Sequence, residues 1–131
     1  MIIVDTTVWV DYLRGTRTSH TDWLDFQLAT ERVGLTDLIL CEVLQGITSA
    51  KQFQMVQKEL LNFALFETGR VELAIEVAMN YRRLRAAGRT VRKTIECLIA
   101  TFCLIEGHSL LHNDRDYDSF EDVLGLKVIH P

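Results

Sequence analysis

The chain has a single proline, its last residue Pro131. An interior without proline excludes proline-rich linkers and polyproline recognition segments. No serine- or glycine-rich tract, internal repeat or low-complexity stretch breaks the sequence. Residues 1–131 are therefore expected to form one domain around one core. Cysteine is scarce: Cys41, Cys97 and Cys103 lie in apolar segments, odd in number and without CxxC spacing. That argues against a disulfide framework and a cysteine-based zinc site, and for buried small hydrophobes in a reducing compartment. Long apolar runs are missing too; none approaches the roughly 18 residues of a membrane-spanning helix. The opening Met1-Ile-Ile-Val-Asp5 meets a carboxylate too early for a signal peptide. A cytoplasmic location is the expectation. The four histidines, His20, His108, His112 and His130, are not spaced as a metal pair. His112 lies near an acidic stretch, but a loop-edge histidine without a chemical role is the plainer reading.

What is present is an ordinary soluble balance, 48% hydrophobic and 24% charged residues. The net charge of −4 argues against a general nucleic-acid coat. The charge is unevenly spread, however. Residues 82–93, "RRLRAAGRTVRK", hold Arg82, Arg83, Arg85, Arg89, Arg92 and Lys93, and no acid lies between Val77 and Ile95. One basic arm on an acidic body fits either a local anionic partner or cations favoured near a helix C-terminus.

Short apolar runs alternate with helical periodicity. "MIIV" reads as a buried strand, and "TTVWVDYLRG" as a short helix closed by Gly15. A helix is expected over 18–31 with Trp23, Leu24, Leu28 and Phe26 inward, followed by a strand at "RVGL". Thr36 or Asp37 caps a helix through "LILCEVLQG". Residues 50–62 read as helix and "FALF" as a third strand. Residues 70–87 are helical, with Val71, Leu73, Ala74, Val77, Ala78, Tyr81 and Leu84 at inward spacing and Gly88 as the stop. Thr94 is expected to cap the apolar helix "IECLIATFCLIEG". "HSLLH" is a fourth strand, the acidic stretch a loop with a short helix, and "LKVIH" a final strand. The expected class is α/β, a central parallel sheet flanked by helices on both faces. In such sheets ligands bind beyond the carboxyl ends of the strands.

The acidic residues fall at that edge. "HNDRDYDSFED" alternates Asp114, Asp116 and Asp118 like the start of a calcium loop. An EF-hand starting at Asp114 needs glycine sixth and glutamate twelfth, and the chain has Ser119 and Gly125 there. Asp118, Glu121 and Asp122 read instead as a solvated helix face. Asp5 follows the first strand and Asp114 the fourth, so both lie at the carboxyl edge; Asp5 alone would pass for a helix cap. Glu42 sits among Leu38, Ile39, Leu40, Cys41, Val43 and Leu44, where an unpartnered carboxylate is costly. Glu96, in the first turn of a buried helix, is expected near Asp5 and Asp114. Carboxylates gathered in one place stay ionised together when a divalent cation neutralises them. An all-oxygen donor set suits Mg²⁺ or Mn²⁺ better than zinc. The basic arm just before Glu96 would hold the polyanion that the acids repel.

Four segments in chain order, "IIVDTTVWVDYL", "LTDLILCEVLQGI", "VRKTIECLIATFC" and "LLHNDRDYDSF…LKVIHP", resemble PIN-domain ribonucleases, above all VapC-type toxins of toxin–antitoxin pairs. The resemblance runs the length of the chain. It implies a parallel sheet flanked by helices and Mg²⁺- or Mn²⁺-dependent cleavage of RNA, often structured RNA such as tRNA. It also implies a homodimer and inhibition by a VapB antitoxin. By the same resemblance Asp5, Glu42, Glu96 and Asp114 form the catalytic acidic set. Asp5, Glu96, Asp114 and Asp116 would bind the metal, and Thr7 would be the hydroxyl near it. Arg82, Arg85, Arg89, Arg92 and Lys93 would contact RNA. One position departs: where VapC-type sequences usually carry aspartate, this chain has Glu96, one methylene longer. A catalytically weakened or silent RNA- or antitoxin-binding module is therefore the competing expectation. A phosphotransfer domain fits less well, because Asp5-Thr6-Thr7 lacks the second aspartate of a DxD motif.

Overall fold

The computed structural model describes residues 1–30 and 32–131. Four short strands, β1 (Ile2–Val4), β2 (Val33–Thr36), β3 (Ala64–Phe66) and β4 (Ser109–Leu111), form a parallel sheet in the order β3-β2-β1-β4. Helices α1 (Thr6–Arg14), α2 (Ser19–Gln27), α3 (Asp37–Gln45), α4 (Ala50–Leu60), α5 (Val71–Ala86), α6 (Thr94–Glu106) and α7 (Asp118–Leu124) flank it. A single 3₁₀ turn, Arg115–Tyr117, precedes α7. The α/β class expected from the sequence is the one found.

Register fixes the functional edge. β1 pairs with β4 through Ile2–Ser109, Ile3–Leu110 and Val4–Leu111, and the Asp5 N–H continues the ladder to the Leu111 carbonyl at 2.9 Å. The chain leaves both strands at the same end, so Asp5 and the 112–116 segment start side by side. β2 is buried along its whole length. Its Gly34 packs against the β3 backbone so closely that a Cβ would lie 2.8 Å from the Ala64 carbonyl oxygen.

Caps set the helix starts. Thr36 Oγ1 accepts from the Ile39 N–H at 3.2 Å, and Thr18 and Thr21 form a capping box on α2. Trp9 is buried against Phe63, ring centroids 5.1 Å apart, and joins Ile3, Leu35, Ile39, Ile99 and Leu110 in the core.

Five expectations are corrected. The "LKVIH" segment contributes one isolated bridge, Val128 to Leu110, rather than a strand. Thr94 does not cap α6: the chain arrives extended through Lys93, which takes the cap position without a side-chain bond, and Thr94 is already helical. Phe26 points to solvent, 75% exposed. On α5 the buried stripe is Leu73, Val77, Asn80 and Leu84, which the 3.6-residue period places on one narrow face; Val71 falls opposite and is 73% exposed. The stripe includes Asn80, whose Nδ2 donates to Thr101 Oγ1 at 3.1 Å. The α2 helix ends at Gln27 and residues 28–30 form a turn, where a helix over 18–31 is expected; Glu31 lies outside the described residues.

Candidate functional site

Asp5 is the N-cap of α1, and its Oδ2 accepts from the Thr7 N–H at 3.2 Å and from Thr7 Oγ1 at 2.8 Å. Its Oδ1 accepts from the Tyr117 hydroxyl at 2.8 Å. The carboxylate is 3% exposed, and donors on both oxygens offset its desolvation. Thr7 does more than cap: its Oγ1 accepts from the Asn113 N–H at 3.2 Å and so ties the end of β1 to the chain beyond β4. The adjacent Thr6 Oγ1 donates to Glu42 Oε1 at 2.8 Å. Two consecutive threonines in the first turn of α1 therefore fix two carboxylates from distant parts of the chain. Glu42 is half-buried rather than enclosed, on the wall of a pocket of about 210 Å³ between α1, α3 and α4.

Beyond β4, Asp114 Oδ1 accepts from the Asp116 N–H at 2.9 Å, which opens the 3₁₀ turn and fixes the spacing of these two acids. The Asp114 N–H donates to His112 Nδ1 at 3.1 Å, so the ring carries its proton on Nε2. Burial holds the His112 pKa below its ordinary value, against the pull of Asp5, Asp118 and Asp114.

Glu96 rises from the first turn of α6 to meet these acids. Glu96, Asp114 and Asp116 each bring a carboxylate oxygen within 4.8 Å of the others. Glu96 is 7% exposed, and its Oε2 is buried with no hydrogen-bond partner among the described residues. Burial, and then the charges of Asp114 and Asp116, push its pKa up to about 7, with Lys93 opposing. A desolvated carboxylate facing two others is the electrostatic signature of a site that a cation completes. The donor set is all oxygen and hard, so Mg²⁺ or Mn²⁺ fits these residues by their chemistry.

Asp5 and Glu42 are not part of that trio. Asp5 is bonded by Tyr117, whose hydroxyl is held far above its usual pKa by burial and by the charges of Asp5, Glu96 and Glu42. Tyr117 and Thr6 escaped sequence analysis; the bond from Tyr117 to Asp5 spans 112 residues and leaves no local signal.

The sequence matches the PIN domain over residues 2–123. The chain belongs to the PIN-domain family. The likeness seen in four separate segments is thus borne out along nearly the whole chain. Among the curated relatives of this PIN domain are Ribonuclease VapC11 of Mycobacterium tuberculosis and a VapC ribonuclease of Mycobacterium bovis. Each is 29% identical, and the alignment covers 98% of this chain and 97% of the relative. Its fold matches VapBC2 of Rickettsia felis, solved bound to a promoter DNA fragment, with a TM-score of 0.78 at 16% identity; 98% of each chain is covered. It also matches FitAcB of Neisseria gonorrhoeae, TM-score 0.77 at 21% identity, covering 100% of this chain and 98% of that one.

The basic arm of this PIN domain lies against the acidic site. Arg92 Nε stands 3.9 Å from Asp116 Oδ1, and Lys93 Nζ 3.8 Å from Glu96 Oε1. Arg89 pairs with Asp122 at 2.9 Å. Arg85 lies over the Tyr81 ring, 5.6 Å from its centroid, and Arg82 is exposed on α5. Among the acids assigned to a solvated face, Asp118 and Asp122 are exposed, while Glu121 is half-buried and bonded to His130 at 2.8 Å.

Proposed function

We propose that the chain is a Mg²⁺- or Mn²⁺-dependent endoribonuclease, the toxin of a type II toxin–antitoxin pair. The observation that carries this reading is the convergence of Glu96, Asp114 and Asp116 around a buried, unpartnered Glu96 oxygen. Its relatives' names support it: two curated relatives are called VapC ribonucleases, and solved neighbours are VapBC complexes. Glu96, Asp114 and Asp116 would hold the cation, and Asp5 adds its charge to the same site. When bound, the cation supplies polarisation of a phosphate oxygen and a more acidic water. Glu42, with Oε1 held by Thr6, keeps Oε2 available to accept a proton from the attacking water. Thr7 and Tyr117 hold the Asp5 carboxylate against rotation. Arg82, Arg85, Arg89, Arg92 and Lys93 form the surface for substrate phosphates, with structured RNA such as tRNA as the substrate class.

The partner would be a VapB-type antitoxin. The pocket beside Glu42, walled by Val10, Leu13, Val43, Ile47 and Val56 with Arg14 at its side, offers apolar surface next to the site for such a segment. A second copy of the chain would cover the exposed α5 residues Val71, Ile75 and Met79 as a homodimer. The setting is cytoplasmic; no described helix is long and apolar enough to cross a membrane.

No observation favours the silent-module reading. The extra methylene of Glu96 leaves its carboxylate within reach of Asp114 and Asp116.

Incubating the antitoxin-free protein with a total tRNA pool in Mg²⁺, Mn²⁺ and excess EDTA, with Asp5→Asn alongside, tests this function. Cleavage is expected with either metal, none in EDTA, and a loss of about 10²-fold or more in Asp5→Asn, the scale of removing one key electrostatic group. Full activity of Asp5→Asn in EDTA would overturn the reading.

A further inference from the structure

The two cations nearest the acidic site sit where a metal would expel them. Arg92 and Lys93 occupy the link between α5 and α6, which is fixed on both sides of them. Upstream, Arg89 is tied to Asp122 at 2.9 Å, its N–H bonds the Leu84 carbonyl at 2.9 Å, and Val91 packs against the core. Downstream, α6 begins at Thr94. The backbone therefore holds both side chains over the cluster while leaving them solvated, 77% and 68% exposed. They approach two members of the trio, Asp116 Oδ1 at 3.9 Å and Glu96 Oε1 at 3.8 Å, at the outer limit of an ion pair. Pairs this long, made by cations that stay solvated, are weak and readily exchanged. They are the cationic partners that Glu96 and Asp116 have among the described residues, and Asp114 has none.

We infer that Arg92 and Lys93 are exchangeable counter-ions of the carboxylate cluster: divalent-metal binding releases both side chains, and they then position substrate phosphates. A dication brings the three carboxylates from −3 to −1 and takes up the oxygens that Arg92 and Lys93 approach, so the hold on both side chains weakens. Long, exposed side chains on an anchored backbone swing outward at little cost. Each then becomes a free cation beside the metal, where the phosphodiester must lie. Metal and RNA would thus bind with positive coupling that reaches beyond direct contact of phosphate with metal. By reciprocity, a bound polyanion that draws these cations away favours metal entry. The inference rests on the metal-site reading proposed above and assigns Arg92 and Lys93 as positioning residues, distinct from the ligands.

Salt dependence separates release from general electrostatics. Mn²⁺ affinity is first measured by calorimetry on the intact chain and on the Arg92→Gln/Lys93→Gln double variant, without RNA. Binding of a phosphorothioate, 2′-O-methyl RNA strand, chosen to resist hydrolysis, is then followed against salt, with saturating Mn²⁺ and with EDTA. Two released cations steepen the slope of log K against log salt in the intact chain by about 1.4, since each single-strand phosphate contact contributes about 0.7. In the double variant this increment vanishes, while any direct contact of metal with phosphate persists in both. Equal increments in the two proteins would overturn the inference and leave the metal site standing. Absence of Mn²⁺ binding by the intact chain would overturn the metal-site reading and the inference together. Lys51→Gln, an exposed cation at the start of α4 and outside the basic arm, is expected to keep the increment.

Discussion

At the residue scale, Glu96 is the most informative side chain. Its desolvation and its two acidic neighbours hold its pKa at about 7 against an ordinary 4.5. Folded protein therefore binds this proton more tightly than unfolded chain. The stabilisation is complete below the unfolded value and is lost as pH rises through about 7. In metal-free buffer the melting temperature of the intact chain should fall, relative to Glu96→Gln, between about pH 5 and about pH 8. Glu96→Gln cannot ionise and keeps its stability over that window. A difference between the two that does not change with pH would show that Glu96 is not held protonated by its neighbours. Added Mn²⁺ should reverse the order, because only the ionised carboxylate is a good ligand.

Much of the site was legible residue by residue. Asp5, Asp114 and Asp116 follow strands, and strands are recognisable from short apolar runs, so their edge could be placed. Glu96 could be placed because its helix is apolar nearly all round. Glu42 was read as a costly buried charge, and the structure makes it half-buried with a threonine donor. The grip of Tyr117 on Asp5 was not legible, because a phenol in an acidic turn has no periodicity to give it away. Nor was the pairing of Arg92 and Lys93 with the cluster, since charge runs reveal composition and not direction.

At the scale of elements, the sheet depends on close backbone approach at β2. A Cβ on Gly34 would stand 2.8 Å from the Ala64 carbonyl oxygen, 3.0 Å from Met1 Sδ and 3.1 Å from Phe66 Cε2. The Met1 thioether can move, but the Ala64 carbonyl belongs to the paired strand and cannot move without disturbing the β2–β3 ladder. Gly34→Ala is expected to lower stability by about 1–3 kcal/mol, the usual cost of overpacking, read from the urea midpoint. An unchanged midpoint would mean that β3 accommodates the shift. Helix and strand order was readable because apolar runs and caps alternate so regularly. The final "LKVIH" misled because its composition is strand-like while its pairing stops at one bridge. On α5 the apolar residues cover more of the helix than its single packed face needs, so Val71, Ile75 and Met79 remain outside.

At the scale of the whole molecule, a net charge of −4 conceals a division of labour. The parallel sheet delivers two strand ends and the start of α6 to one edge, where the carboxylates gather. The connection from α5 brings the cations to the same place. The order of the segments along the chain thus places opposite charges side by side without any local motif spelling them out. The central claim is that Glu96, Asp114 and Asp116 form one divalent-metal centre that cleaves RNA. The most direct test is the cleavage rate of a structured RNA as a function of Mn²⁺ concentration, measured for the intact chain, Glu96→Gln and Asp114→Asn, all shown to be folded. The account predicts a rate that saturates with Mn²⁺ in the intact chain and falls by about 10²-fold or more in either variant. Cleavage by the intact chain that persists in EDTA, or either variant cutting at the intact rate, would contradict it.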